Sequence, residues 1–392
     1  MEKNDRRSLW PPIDMATHLK NRAAELRETK KKGTKIIGYF PGNYVPEELI
    51  YASGAIPICL AYGGDPHAAD AGLSVIPRQI CPFARTQVGE KLLKENPYYD
   101  MVDILVAPMT CSHMKKAADV WEYYFPDIEI FKLGIPHQYN DESALEYYLN
   151  RLKALKQRLE NFTGNKITNE KIGKAIELYN NMRRLLRDVS FMRKGLNPPL
   201  SSLEFISMNQ ASFYADPYFM VNTLNSVYQE LKRKKVSRSE RPRLLLVGPN
   251  IAYGDYKILE LVDESGGEIV IEELFEGIRD YWRDIENSGD LFHSLAKGYF
   301  RDRLPAAFMA GSAPKRLDFA MSLVKDFNIS GVIFYELLCC ETYDAESYFY
   351  TKRMEERSIP VLVIESEYDV SDRGHIKNRI DAFVEIIKGG EK

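Results

Sequence analysis

Short apolar runs alternate with helical patterns through the first 140 residues. Four of these runs are typical of buried strands, at residues 35–40, 55–60, 103–109 and 129–135. Between the first two, Pro46 opens a helix whose first turn carries Glu47 and Glu48, where the helix dipole favours acids. Other helical patterns cover residues 15–32, 81–94 and 114–125. Strands that alternate with helices predict a parallel sheet covered on both faces.

The pattern changes after residue 141, where helical spacing replaces the alternation. Three helices are predicted there, at residues 143–161, 169–187 and 217–233. A basic run at 232–235 is either a solvated linker or a docking patch for an acidic partner. The alternation returns with strands at residues 244–247, 268–274, 331–338 and 360–364. We therefore predict an N-terminal helical segment (1–34), a first α/β domain (35–140), a helical connector (141–240) and a second α/β domain (241–392).

Composition narrows the class of protein. The 392 residues exceed one ordinary core, and 45% hydrophobic with 28% charged residues is typical of a globular chain. A net charge of −3 provides no basic field for nucleic acid. We find no export signal and no apolar run of about 18 residues, so we expect a cytoplasmic protein without membrane contact. In a reducing compartment, cysteines are expected to be buried, catalytic or metal-bound.

Four of the five cysteines lie where a site is expected. Cys111 follows the third apolar run of the first domain, and Cys339 and Cys340 follow the corresponding run of the second. Cys81 opens a predicted helix, whose N-terminus would stabilise a thiolate. Because sites form at the carboxyl edge of open α/β sheets, we predict that these thiols converge there from strand ends. Cys59 stands alone in an apolar run and is more typical of a small buried side chain.

The spacing of the cysteines favours an iron–sulfur cluster over zinc. Structural zinc sites use short paired spacings such as CxxC, and the sequence has none, nor a ferredoxin-type run. Neighbouring side chains in a strand point to opposite faces, so Cys339 and Cys340 cannot both be ordinary core residues. The sequence also lacks the Walker loop, GxGxxG, HExxH and GxSxG motifs.

Other residues are candidates for acid–base or contact roles. Glu47 and Glu48 are either ordinary first-turn acids or proton-transfer groups near the site. His113, beside Cys111, is either a surface histidine or a donor to a cluster sulfur or a proton path. Asn43 and Tyr44 are candidates for contact with a cluster or a substrate. Arg85 either orients the Cys81 loop, contacts a phosphate or forms an ordinary salt bridge on the helix surface.

Several motifs within residues 35–388 are similar to those of a known protein family. They are the segments 38–54, 81–86, 108–116, 247–255, 266–270, 340–344 and 360–383. Together they resemble the 2-hydroxyacyl-CoA dehydratase and benzoyl-CoA reductase subunit family. The resemblance implies an α/β fold with two flavodoxin-like, doubly wound domains, a helical insert, and a [4Fe-4S] cluster in the cleft between the domains.

The resemblance also implies ligands, partners and an activity. Cys81, Cys111 and one of Cys339 or Cys340 would hold the cluster and leave one iron open. An ATP-dependent activator iron–sulfur protein would supply one low-potential electron for reduction of a CoA thioester. The chain would pair with a second related subunit or with itself. The expected enzyme is a lyase of the 2-hydroxyacyl-CoA dehydratase type or a reductase.

Three alternatives stay open at this point. One branch of the family carries a double-cubane [8Fe-9S] cluster in a homodimer and reduces small molecules, but five cysteines would then need a shared or non-cysteine ligand. A second alternative is a non-catalytic subunit whose cluster relays electrons. The third is a scaffold without metal.

Overall fold

The computed structural model describes residues 13–236 and 239–390. Residues 1–12 of the predicted N-terminal segment, residues 237–238 of the predicted connector and its basic linker, and residues 391–392 of the predicted second domain lie outside the described residues. Among the described residues, no helix combines the length and the apolar character needed to cross a membrane.

The first sheet contains the four strands predicted for the first domain. They are β1 (Ile36–Tyr39), β2 (Ile56–Cys59), β3 (Ile104–Met109) and β4 (Glu129–Gly134). All pairings are parallel, in the order β2-β1-β3-β4. The central strands β1 and β3 are buried along nearly their whole length, which is why both are continuous apolar runs in the sequence.

The helices of the first domain include two that the sequence pattern missed. The set is α1 (Ile13–Lys31), α2 (Glu47–Ala52), α3 (Pro66–Gly72), α4 (Pro82–Leu93), α5 (Pro97–Asp100) and α6 (Ser112–Tyr124). Both α3 and α5 are too short to show a helical period. Each begins with proline after a capping side chain, Asp65 and Asn96, and that is the local signal that marks them.

The helical connector contains the three predicted helices and one more. They are α7 (Glu142–Thr163), α8 (Asn169–Phe191), α9 (Ser202–Ala211) and α10 (Pro217–Arg233). The additional helix α9 is buried around most of its circumference, so its sequence has no amphipathic period. A capping box between Ser201 and Glu204 starts it.

The second sheet repeats the topology of the first. Its strands are β5 (Arg243–Val247), β6 (Glu268–Glu273), β7 (Gly331–Leu337) and β8 (Val361–Ser366). They are parallel in the order β6-β5-β7-β8. The helices are α11 (Lys257–Glu264), α12 (Ile278–Tyr281), α13 (Leu291–Ala296), α14 (Ser312–Asp326), α15 (Glu341–Glu355) and α16 (Arg373–Gly390). Two all-parallel sheets with helices confirm the predicted fold class.

The carboxyl edges of the two sheets meet. The amide of Gly63, after β2, donates to the Tyr253 carbonyl at 3.0 Å, and the Tyr253 amide donates to Ala61 at 2.7 Å. Gly64 has a φ of +73°, and a Cβ atom there would lie 2.4 Å from the carbonyl carbon of Gly254. Glycine is therefore required for the loops after β2 and β5 to touch. Residues that end the strands of either domain thus share one cleft.

Candidate functional site

Three of the predicted cysteines directly precede helices. Cys81 is the N-cap residue of α4, Cys111 of α6 and Cys340 of α15. Pro82 follows Cys81 at the first helical position, where proline loses no hydrogen bond. The amides in the first turn of a helix carry partial positive charge and favour a thiolate or another anion beside them. The fold therefore pairs three thiols with three helix N-termini.

The ionisation of Cys81 and of Cys340 depends on the neighbouring thiols. Burial, followed by the charge of Cys111, raises the pKa of Cys81 to about 12, although the Ala84 amide and the Arg85 guanidinium act in the opposite direction. Burial, followed by Cys81 and Cys111, also raises the pKa of Cys340. Grouped thiols of this kind become thiolates when a metal centre replaces their protons.

The other two cysteines have different surroundings. Cys59 is the last residue of β2 and is buried, as its apolar neighbours indicated. Cys339 has a φ of +63° and forms the tight turn after β7. In this turn the Cys340 amide donates to Leu337 at 2.9 Å, and the Glu341 amide donates to Cys339 at 3.0 Å. The turn places Cys340, rather than Cys339, at the start of α15.

The prediction that strand ends deliver all the thiols is wrong for Cys81. Cys111 and Cys340 do follow β3 and β7 closely, but α3 and a turn separate β2 from Cys81. The cause is the unforeseen packing of α3 against α4. A Cβ atom at Gly89 would lie 1.7 Å from the carbonyl oxygen of Ala68, so the two helices meet backbone to backbone. This contact positions the N-terminus of α4 in the cleft.

His113 connects two of the cysteine loops. It lies in the first turn of α6 and is buried, and its Nδ1 accepts a hydrogen bond from the Cys81 amide at 3.1 Å. Its Nε2 lies 4.0 Å from a carboxylate oxygen of Glu341, the first residue of α15. Burial lowers the pKa of His113, with Glu341 acting against it. A neutral imidazole with an unprotonated Nδ1 suits the contact to the amide.

Arg85 ties the Cys81 loop to the second domain. Its side chain is almost completely buried in α4. Its Nε donates to the carbonyl of Ile80 at 3.0 Å, and a terminal nitrogen donates to the Glu367 carboxylate at 3.1 Å. Glu367 follows β8, so this ion pair crosses between the domains. The contact corresponds to the loop-orienting role considered for Arg85 from the sequence.

Glu47 and Glu48 have partners other than Cys81, Cys111 and Cys340. Glu48 is buried, pairs with Arg183 of α8 at 2.7 Å and accepts from the Tyr299 hydroxyl at 2.7 Å. It therefore joins α2 to the helical connector. Glu47 accepts a hydrogen bond from Tyr39, and burial raises the pKa of its carboxyl to about 8. It lines a cavity of about 180 Å³ beside α1, α2 and β2, and no cysteine lines this cavity.

Polar groups of the loop after β1 lie next to the Cys111 loop. A Cβ atom at Gly42 would lie 3.4 Å from the Thr110 side chain. The next residue, Asn43, has a φ of +62°, and its side-chain nitrogen is buried without a partner among the described residues. The Tyr44 hydroxyl lies 3.5 Å from the sulfur of Met309. Of these residues, Asn43 presents a free donor at the carboxyl edge of the sheet.

The second domain adds charged residues that the sequence interpretation missed. Glu276 follows β6; burial raises the pKa of its carboxyl to about 8, with the Gly42 amide acting against this rise. One nitrogen of Arg279 donates to the Tyr343 hydroxyl at 2.8 Å, and another has no partner in the described part of the chain. Tyr343 comes three residues after Cys340. The sequence analysis expected site residues at the carboxyl ends of strands. The same expectation, applied to the segment after β6, would have identified Glu276 and Arg279.

The donor set is three cysteine thiols, which is the ligand type that iron–sulfur clusters use. Each thiol belongs to the N-cap residue of a helix, whose first amides favour an anion. Within residues 13–236 and 239–390, no three His, Cys, Asp or Glu side chains are grouped closely enough to hold one metal ion.

Comparison with known proteins gives matches over most of the chain. The family model described as 2-hydroxyglutaryl-CoA dehydratase, D-component, matches residues 43–387. YjiM of Escherichia coli (strain K12), named as a candidate dehydratase subunit, is 25% identical over 92% of this chain and 93% of its own. The (R)-phenyllactyl-CoA dehydratase beta subunit of Clostridium sporogenes is 24% identical over 92% of this chain and 94% of its own.

A reductase subunit is similar as well. One of the benzoyl-CoA reductase subunits of Thauera aromatica is 22% identical over 90% of this chain and 91% of its own. The relatives therefore include both dehydratases and a reductase, which agrees with the predicted enzyme class and leaves its subclass open. Because the family model matches most of its length, the chain belongs to the family of the 2-hydroxyglutaryl-CoA dehydratase D-component.

Proposed function

We propose that this chain is the iron–sulfur subunit of a radical-type 2-hydroxyacyl-CoA dehydratase or of a benzoyl-CoA reductase-like enzyme. In this proposal Cys81, Cys111 and Cys340 hold a [4Fe-4S] cluster in the cleft and leave one iron open for substrate. The observation that carries the proposal is the convergence of three thiols from three helix N-termini. The dehydratase and reductase names of the relatives support the class of activity.

The third ligand is Cys340 rather than Cys339. The Cys340 thiol interacts electrostatically with both Cys81 and Cys111. Cys339 occupies the left-handed turn that precedes it. We therefore assign Cys339 to the geometry of the loop and Cys340 to ligation.

The surroundings of the thiols would stabilise an anionic cluster. Each N-terminus contributes about half a positive charge from its aligned peptide dipoles. The buried Arg85 guanidinium, which pairs with Glu367, also favours a thiolate at Cys81. Burial on its own disfavours thiolates, so these positive groups offset part of the cost when a metal centre binds.

The residues of this chain position the substrate around the cluster. When bound, such a cluster supplies one electron at low potential to a CoA thioester. The free amide nitrogen of Asn43 and the free nitrogen of Arg279 are donors for a thioester oxygen. His113 and Arg85 hold the Cys81 loop against α6 and the second domain. The acid–base roles of Glu47, Glu48 and His113 stay predictions.

The proposed reaction needs partners. The sequence has no Walker loop, so an ATP-dependent activator iron–sulfur protein would deliver the electron. A related subunit or a second copy of this chain would complete the enzyme, as the subunit names of the relatives suggest. A CoA thioester is the substrate class.

Anaerobic purification followed by iron and sulfide analysis tests the proposal. We expect about four irons per wild-type chain, as one cubane requires. Cys81→Ser and Cys111→Ser should lose most of this iron, because each removes one ligand. Cys59→Ser should keep it, because Cys59 is buried at the end of β2. A wild-type chain without iron would contradict the proposal.

The same preparations separate the alternatives. About eight irons per chain, lost also in Cys59→Ser, would replace the single cubane with the double-cubane reductase. A cluster that is reduced by the activator, without dehydration or reduction of any CoA thioester by the assembled enzyme, would indicate an electron-relay subunit. Asn43→Asp keeps a residue that tolerates left-handed backbone but removes the donor, so it should lower turnover and leave the iron content unchanged.

A further inference from the structure

A tyrosine in the loop after β8 lies beside the cysteine site. Tyr368 is two residues past the end of β8, and only 4% of it is exposed. The Leu338 amide, two residues before Cys340, donates to the Ser366 carbonyl, two residues before Tyr368, at 2.9 Å, so the two loops run side by side. The groups whose charges act on the Tyr368 hydroxyl include Asp255, Tyr99 and two proposed cluster ligands, Cys81 and Cys340. The second domain therefore contributes an aromatic hydroxyl to the site as well as Cys340.

The oxygen neighbours of Tyr368 already have partners. Asp255 accepts a hydrogen bond from the Tyr335 hydroxyl at 2.8 Å. The Tyr99 hydroxyl donates to the side-chain oxygen of Gln87 at 2.6 Å. Asp255 and Tyr99 therefore each already take part in a hydrogen bond with another side chain.

The Tyr368 hydroxyl itself has no hydrogen-bond partner among the described residues. A buried hydroxyl without a partner is destabilising, and such groups are rare in folded proteins. A tyrosine hydroxyl is protonated at neutral pH and can donate a hydrogen bond. None of the Asp255, Cys81 and Cys340 side chains accepts this hydrogen bond in the described part of the chain, which leaves a sulfur of a bound cluster as an acceptor.

Both flanks of Tyr368 are fixed to the protein. The Lys257 ammonium donates to the carbonyls of Glu367 at 2.9 Å and Asp369 at 2.7 Å. The Glu367 carboxylate accepts from the buried Arg85. The backbone on either side of Tyr368 is thus held in place, which fixes where its ring enters the cleft.

Gly63 provides the room for this ring. A Cβ atom at Gly63 would lie 2.9 Å from the Tyr368 hydroxyl oxygen and 2.4 Å from the Cβ atom of Ala252. Any side chain at Gly63 would therefore crowd the hydroxyl. Tyr368 therefore has room for its ring, a backbone that is held on both sides and a hydroxyl without a partner, and it lies near the thiols.

We propose that Tyr368 is a positioning residue that donates a hydrogen bond to a sulfur of the cluster held at Cys81 and Cys340, and so raises the reduction potential of that cluster. The inference rests on the proposed function, because it requires the cluster. Hydrogen bonds to cluster and cysteine sulfurs stabilise the more negative, reduced form. Tyr368 would then help to make a low-potential electron transferable into this subunit.

The full chain purified without oxygen, with and without Tyr368→Phe, tests the inference. The readouts are the midpoint potential from an electron paramagnetic resonance titration, the iron content, and the thermal midpoint of the iron-free protein. We expect the potential of Tyr368→Phe to shift to a more negative value with an unchanged iron content. The iron-free variant should be at least as stable as the iron-free wild type, because the change removes a hydroxyl without a partner.

Tyr350→Phe is the matched control. The Tyr350 hydroxyl is also buried without a partner among the described residues, and its charged neighbours are Arg316, Glu273, Glu346 and Arg279, with no thiol among them. This variant should leave the potential unchanged. An equal shift in both variants would show a general effect of removing a hydroxyl and would overturn the inference.

Each remaining outcome is also decisive. A fully loaded Tyr368→Phe with the wild-type potential would overturn the inference and leave the proposed function intact. Failure of iron-free Tyr368→Phe to fold would contradict it as well, because a hydroxyl without a protein partner cannot hold the apoprotein together. A wild-type chain without iron would overturn the proposed function and the inference together.

Discussion

The two α/β domains have the same strand order but bring different chemistry to the cleft. β3 and β7 occupy corresponding places in their sheets. Cys111 follows β3 and Cys340 follows β7, and each precedes a helix. The loops after β1 and β5 also correspond, with Asn43 in one and Asn250 in the other. The two domains therefore contribute corresponding strands and loops to the cleft.

The domains diverge after their second strands. After β2 the chain forms α3 and then presents Cys81 at the start of α4. After β6 it presents Glu276 and Arg279 instead, and Arg279 belongs to a buried charge network with Glu273 and Arg316. The shared topology determines where the edge of each sheet lies. The residues after the second strand determine whether that edge offers a thiol or charged groups.

The largest effect is expected from changing the doubled cysteine of the second domain. Cys340→Ser should abolish most iron binding, because it removes the thiol that interacts with Cys81 and Cys111. Cys339→Ser should keep the iron, because Cys339 forms the turn. Iron and sulfide analysis after anaerobic purification measures both. The reverse result would show that Cys339 is the counterpart of Cys111.

Breaking the charge network of the second domain should cost the most stability. Arg316 is completely buried and contacts Glu346 at 2.8 Å and Glu273 at 3.3 Å. Arg316→Met leaves buried carboxylates short of a partner and should lower the free energy of unfolding by about 3–5 kcal/mol. Denaturant titration of the iron-free protein measures this loss.

A partly exposed arginine of the same domain provides the control for that change. Arg373 contacts Glu260 at 3.0 Å and Glu264 at 2.6 Å, with 34% of its side chain exposed. Arg373→Met should cost about 1 kcal/mol or less, because solvent screens such pairs. Equal losses in the two variants would show that burial is not what distinguishes the network.

The ion pair that joins the domains should have a smaller effect. Glu367→Gln removes the charge that faces the buried Arg85 but keeps an acceptor, and should cost about 2 kcal/mol in denaturant titration. Glu356→Gln is the control, because its pair with Arg353 is exposed and contributes about 0.5 kcal/mol or less. No difference between the variants would mean that Arg85 is held by the Ile80 carbonyl alone.

Local patterns predicted the strands and two of the three converging thiols. A parallel sheet has one carboxyl edge, so Cys111 and Cys340 could be placed there from the apolar runs before them. Cys81 could not be placed in this way, because its position depends on the close approach of Gly89 to Ala68 across two helices. Local spacing carries no signal for such a contact.

The partners of the predicted acids could not be predicted either. Glu48 was placed near the site because it follows the first strand. Its buried partner Arg183 lies in the helical connector, 135 positions later in the chain. A helical period shows that α8 has a buried face, but it does not show which acid meets that face. Tyr368 was missed for a similar reason, since its neighbours come from both domains.

A pH-dependent effect is expected for Glu47, at the start of the helix that follows β1. Its carboxyl titrates near 4.5 when exposed, and burial raises its pKa to about 8 in the folded chain. Between these values the unfolded chain has lost the proton and the folded chain keeps it, so the stability contributed by Glu47 decreases as the pH rises. Glu47→Gln removes this dependence. The free energy of unfolding of the wild type should therefore fall relative to that of the variant from pH 5 to pH 8.

Glu160→Gln provides a control of opposite sign for the Glu47 measurement. The Ile167 amide, followed by Lys156, lowers the pKa of Glu160. Its stabilising contribution is therefore present at neutral pH and is lost as the pH falls through the lowered value. Relative to this variant, the wild type should lose stability only on acidification. If the wild type and Glu47→Gln gave parallel profiles between pH 5 and pH 8, Glu47 would be ionised in the folded chain. The N-terminus of α2 would then present a charged carboxylate rather than a neutral acid.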